Sequence, residues 1–189
     1  KGAPYLRPED PNPVRAHATG FLKNGKLQRA RIKAHSCYTY GVLRDEIQEH
    51  ILDKLQLLLD RKLIRGIYEN GTEYTAIATV LNLNKDILRM LQKFDFTRKN
   101  PKIVYINTSE AVLSLEDSIL TAFLNLAGFD IVFYVPTGYQ CVERYLNSKG
   151  MEEHQIGEYV YDLSIPDFDT ISINPRRSWR DKLFKRGDC

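Results

Sequence analysis

The sequence predicts an α/β protein in which a Rossmann-like parallel strand-helix-strand unit follows a mainly helical region. Three observations carry that expectation. Residues 42–64 repeat apolar side chains every three or four positions, the period of a helix with one buried face. Two β-branched and aromatic runs, KIVYI at 102–106 and DIVFYV at 130–135, read as strands. Between them, residues 115–126 have helical spacing, and a crossover of that length joins parallel strands with a right-handed turn.

Taken in order, residues 1–33 form a basic arm rich in Pro and Gly. Pro4, Pro8, Pro11 and Pro13 exclude a continuous helix or central strand, so the arm is expected to be extended. Residues 34–100 make a helical domain. Its first helix, 42–64, carries Leu43, Ile47, Ile51, Leu55 and Leu58 on one face and is expected to stop at Gly66. After the turn Glu69-Asn70-Gly71, a short helix over 73–81 places Tyr74, Ile77, Ala78 and Leu81 together. Asn84 caps a second short helix, 85–94, with Ile87, Leu88 and Leu91 inward.

That pair has the outline of a helix-turn-helix, whose second helix would offer Lys85, Arg89, Gln92 and Lys93 to bases. Asp86 beside the phosphates, and a first helix made acidic by Glu69 and Glu73, count against it, so nucleic acid is the disfavoured partner. Tyr38, Tyr40, Tyr68 and Tyr74 would stack on bases in that reading. Tyrosines at element edges more commonly bury the ring and leave the hydroxyl wet.

Residues 101–170 form the Rossmann-like α/β domain. Ser114 followed by Asp117 is a capping box for the 115–126 helix, and Gly128 stops it. DIVFYV is almost continuously apolar, which predicts a strand buried on both faces. A further helix is expected over 139–146, with Val142 and Tyr145 inward, and a further strand in GEYVYDL at 157–163. Residues 171–189 close the chain as a basic tail, SWRDKLFKR.

In an open parallel sheet, ligands bind beyond the carboxyl ends of the strands. Both strands here end in small polar residues: Asn107, Thr108 and Ser109 after the first, Thr137, Gly138 and Tyr139 after the second. The two loops should share one sheet edge. Pro136 sets the exit direction, Gly138 permits close backbone approach, and the N-terminus of the expected 139–146 helix would favour an anion. These six residues are the candidate ligand site, and the expected guest is an anionic small molecule such as a phosphate, a carboxylate or a nucleotide fragment. A Pro-Thr-Gly turn also starts a helix with no ligand at all.

No catalytic residue can be assigned. Ser109, Glu110, Asp130 and Glu143 supply an alcohol and three carboxylates, but no nucleophile elbow, phosphate-binding loop or metalloprotease spacing is present. Asp130 opens its strand and belongs at the opposite edge. His35 and Cys37 are two ligand types at close spacing, but zinc needs two more, from Cys141 or His154, and without a second paired motif no metal site is expected. No cofactor is indicated.

Charge is distributed unevenly. Residues 1–36 hold eight basic and two acidic side chains, residues 176–189 six and two, and the remainder thirteen and twenty, so basic ends bracket an acidic body. The ends either pack on that body or steer toward an anionic partner. The longest apolar candidate, 119–135, is broken by Asn125, Gly128 and Asp130, so no membrane span is expected. Three cysteines without paired spacing suit a reduced compartment, and a cytoplasmic location is expected.

With LLLDRKLIRGIYENGTEYT at 57–75, LTAFLNLAGFDIVFYVPTGYQCVERYL at 120–146 and QIGEYVYDL at 155–163 in view, the chain resembles the YceG-type family of bacterial proteins, from about residue 34 to the basic tail. The resemblance implies a component of a biosynthetic module associated with tellurite-resistance and general stress genes. It also implies partners among the proteins of that system. Family members are longer, which would make this chain the C-terminal part of one. The family brings no catalytic residues to transfer onto these positions.

Overall fold

A computed structural model describes residues 12–93 and 100–165. The start of the arm and the basic tail at 171–189 lie outside the described residues.

The arm is not extended where it is described. Asn12 opens a turn by accepting from the Val14 amide at 3.0 Å while its own amide donates to the Ala78 carbonyl at 2.8 Å. Val14, Ala18 and Phe21 recur at helical spacing and are buried through that turn and the following 3₁₀ turn, Ala18–Phe21. A hairpin follows, β1 (Leu22–Lys23) and β2 (Lys26–Leu27), closed by Asn24 and Gly25, both with positive φ. Two such residues build the type I′ turn whose twist suits a tight hairpin. The short helix α1 (Arg29–Lys33) buries Ile32. The apolar spacing behind Pro13 folds the described part of the arm against the core.

The long helix α2 runs over Asp45–Arg61. Ile51, Leu52, Leu55, Leu58 and Leu59 have no exposed surface. It begins later than expected because residues Thr39–Val42 form a 3₁₀ turn, and it ends earlier because Lys62, not Gly66, takes the left-handed conformation that closes it. Helix α3 (Thr72–Val80) and helix α4 (Lys85–Lys93) lie where the pattern places them, and Asn84 Oδ1 accepts from the Ile87 amide at 2.9 Å.

The crossover unit forms as expected. Strand β3 (Lys102–Ile106) and strand β4 (Asp130–Tyr134) pair in parallel, with helix α5 (Leu115–Leu126) between them in sequence. Ser114 caps α5: its hydroxyl accepts from the Asp117 amide at 3.0 Å and donates to the Asp117 carboxylate at 2.7 Å. Helix α5 packs on α2, α3 and β4. A continuous set of buried apolar residues therefore runs from Val14 to Leu146.

Three expectations in this half are corrected. Strand β4 is not buried on both faces: Val132 is 55% exposed and Tyr134 43%, because α5 covers one side of the pair and no described residue covers the other. Residues 139–146 are not a helix. Their backbone is drawn into an antiparallel bridge between Ile64 and Leu146, with the Arg65 amide on the Tyr145 carbonyl at 2.7 Å and the Asn147 amide on the Leu63 carbonyl at 2.8 Å. Residues 157–163 form no strand. Asp162 has φ +59°, which interrupts an extended run, and the Val160 amide makes one bond, to the Pro136 carbonyl at 2.9 Å. The described architecture is thus mixed helix and strand, with two small sheets, one of them parallel.

Candidate site at the strand ends

Because β3 and β4 are parallel and in register, both exit at one edge, so the two polar loops are neighbours. The Asn107 amide donates to the Tyr134 carbonyl at 3.0 Å, and further on the Leu113 amide donates to the Cys141 carbonyl at 3.0 Å. Asp130 sits at the opposite edge, where Lys102 and Asn100 hold its carboxyl below the usual range.

The first loop is preorganised by its own side chains. Asn107 Oδ1 accepts from the Ser109 amide and from the Ser109 hydroxyl at 3.1 and 3.0 Å, while Asn107 Nδ2 donates to the Ala111 carbonyl at 2.9 Å. The Ser109 hydroxyl also accepts from the Ala111 amide at 3.3 Å. Thr108, between them, is half-buried.

The second loop is built differently from expectation. With no helix after it, there is no helix N-terminus to receive an anion, and the turn uses its own donors. The Gly138 amide bonds the Val135 carbonyl at 3.1 Å, the Tyr139 amide bonds Thr137 Oγ1 at 3.3 Å, and the Cys141 amide bonds the Tyr139 carbonyl at 2.8 Å. The Glu143 carboxylate accepts from the Val142 amide at 2.9 Å. Gly138 has φ +67°, where a side chain is strained, and a Cβ there would run into the ring of Tyr159. So Gly138 does permit a close approach, and the group that approaches is Tyr159.

Tyr159 is the site residue that sequence reasoning missed. Its signal was present, an aromatic in an apolar stretch, but period-two alternation assigned it to a strand. It lies over the turn on a segment that the Val160–Pro136 hydrogen bond anchors, and it keeps 56% of its surface exposed.

Elsewhere, His35 Nδ1 lies 3.0 Å from Cys37 Sγ, and burial pushes the Cys37 thiol up. The His17 ring sits 4.3 Å from that of His35. Among the described residues no group of three or more ligand side chains is arranged to hold a metal. In the helix pair, Ala76 to Val80 of α3 are buried, and the exposed basic side chains lie on α4. There Arg89 pairs with Asp86 at 3.1 Å, and a shallow groove of about 410 Å³ is lined by Asp86, Arg89, Met90, Lys93 and Pro101. No described helix is long and apolar enough to cross a membrane.

The parallel unit, its strand-end loops and the helices packed on it define a mixed α/β domain with a candidate ligand edge. The YceG domain family matches residues 1–178, and the chain belongs to that family. The match takes in the N-terminal arm as well as the region from residue 34. A curated relative, the uncharacterized protein YceG of Bacillus subtilis (strain 168), is 22% identical over 143 residues. That stretch is 74% of this chain and 27% of the relative, so the chain spans about a quarter of the relative's length. No solved structure matches.

Proposed function

We propose that this chain binds a small metabolite, anionic or nucleotide-like, at the strand-end edge formed by Asn107, Thr108, Ser109, Thr137, Gly138 and Tyr139, and that it does so within a bacterial tellurite-resistance or stress-associated biosynthetic module. The observation that supports this is the pairing of two polar loops at the carboxyl ends of parallel strands, the place where such sheets take ligands, with an aromatic ring resting on a glycine backbone between them. A flat ring already fits there. A ligand with a planar base would take the place of the Tyr159 ring, leaving its anionic group near Thr137 and the Asn107 loop.

In this reading Tyr159 competes with the ligand. Its segment is held by the Val160–Pro136 bond and the ring contact, so displacement costs about 1 kcal/mol for the bond, net of the hydrogen bonds water makes in its place. Thermal unfolding measured with nucleotides, nucleotide sugars, inorganic phosphate and oxyanions tests it. A ligand at a hundred times its dissociation constant stabilises the fold by about 2.7 kcal/mol. The shift should grow in Tyr159→Ala and shrink in Thr137→Ala. Absence of any shift in both the unaltered chain and Tyr159→Ala rejects the reading.

A second reading, a non-enzymatic assembly module, is favoured by a separate observation, the apolar side chains left open on the parallel sheet. Its nucleic-acid form would use the outer face of α4 together with the basic ends, of which the described part of the arm carries exposed Arg15, Lys23 and Lys26.

A further inference from the structure

The bridge between Ile64 and Leu146 joins two stretches that are far apart in the chain and both basic, RKLIR at 61–65 and RYLNSK at 144–149. Neither contains an acidic residue. Ile64 and Leu146 are buried, while Arg61, Lys62, Arg65, Arg144 and Lys149 around them are all exposed. Asn147 ties the two stretches together: its Nδ2 donates to the Lys62 carbonyl at 3.4 Å, and its Oδ1 accepts from the Lys149 amide at 3.3 Å. Five cations are thereby gathered around one bridge.

The ion pairs among the described residues involve none of the five. The carboxylates next to them in the chain are engaged elsewhere, Asp60 with Lys26 and Gln56, and Glu143 with the Val142 amide. Arg61 and Lys62 close α2, whose carbonyl end offsets about half an elementary charge. Most of the positive charge is left over. The residues outside the described ones, 1–11, 94–99 and 166–189, hold ten basic and seven acidic side chains, with no acidic surplus in any stretch, so their net charge does not cancel it.

We propose that this face binds a nucleic acid through its phosphate backbone. Arg65 Nε donates to the Leu146 carbonyl at 3.1 Å, which fixes the guanidinium. Its two terminal nitrogens, for which the described residues supply no partner, are left to grip a phosphate through two parallel bonds. Arg144 is held at the surface over the Tyr145 ring, 5.4 Å from its centroid. The apolar residues of the bridge favour phosphate over an acidic protein as the anion. A protein interface is built on an apolar core, but Ile64 and Leu146 are buried and Leu63 and Tyr145 half-buried, so the face offers charge without an apolar anchor. Dense positive charge on a polar surface is what nucleic-acid interfaces present. Asp86, which stands among the cations of α4, has no counterpart here.

Fluorescence anisotropy of a labelled DNA of about 20 bases, single-stranded and duplex, titrated with the full chain between about 50 and 200 mM salt, tests this. Five phosphate contacts give a log–log slope of affinity against salt of about −3.5 for the single strand and about −4.5 for the duplex. Arg144→Glu with Lys149→Glu should weaken binding by at least about tenfold and flatten the slope by about 1.4 or more, because two contacts are lost. Both side chains are exposed, so circular dichroism should match that of the unaltered chain. Arg65→Lys, which keeps the charge and loses the fork, should weaken binding by less than the double reversal. Lys85→Glu with Lys93→Glu, on the exposed cations of α4, should leave it within about twofold. Absence of binding at the lowest salt, binding indifferent to the double reversal, loss confined to the α4 variant, or tighter binding to a polyglutamate peptide of equal charge overturns the proposal.

Discussion

Tyr40 has no exposed surface, yet its hydroxyl is fully used: it donates to the Val80 carbonyl at 2.8 Å and accepts from the Leu83 amide at 2.7 Å. One side chain thus ties the 3₁₀ turn before α2 to the end of α3. Burial holds the Tyr40 proton well above the ordinary tyrosine range, and burial with the charges of Glu49 and Asp45 pushes neighbouring Tyr38 up to about 12. Tyr40→Phe keeps the ring and leaves a buried amide and carbonyl without a partner, so it should lower stability by about 1–3 kcal/mol in chemical denaturation. A loss near zero would mean that water enters to replace the hydroxyl. The local sequence describes Tyr40 as an edge aromatic with a wet hydroxyl. Its partners are forty and forty-three residues away in the chain, so no local pattern reports them.

Elements whose signals are local were legible. The Ser114–Asp117 box lies inside one helical turn, and α5 starts where that box puts it. Ser114→Ala should cost about 1 kcal/mol, read as an earlier thermal midpoint with an unchanged fold. The Asn24-Gly25 hairpin is equally local, with Leu-Lys before it and Lys-Leu after, but the four prolines ahead of it suggest extended chain. The helix expected over 139–146 failed for the opposite reason. Its residues have helical spacing, but Tyr145, Leu146 and Asn147 pair with Leu63, Ile64 and Arg65. That pairing satisfies the backbone by tertiary contact instead of by helix.

At the scale of the molecule, the arm, the helices and the crossover unit share one continuous core. Phe21, from the arm, is 1% exposed and belongs to the same buried set as Leu55 and Phe123. Phe21→Ala should therefore cost about 3–5 kcal/mol and lower the unfolding midpoint seen by fluorescence and by circular dichroism together. Separate transitions would show that the arm melts independently of the rest.

The candidate site was half legible. Parallel strands with polar ends follow from pattern alone, which is why the sequence puts Asn107–Ser109 and Thr137–Tyr139 on one edge. What the sequence by itself determined is therefore the set of elements whose period, caps and β-branched runs are local: α2, α3, α4, α5 and the two strands of the parallel pair. Only the tertiary structure decided that the arm joins the core, that residues 139–146 give up a helix for a bridge, that Tyr159 sits on Gly138, and that no described residue covers one face of the sheet. Each depends on a contact between residues far apart in the chain. Such contacts are chosen by shape and burial, which local periodicity does not encode.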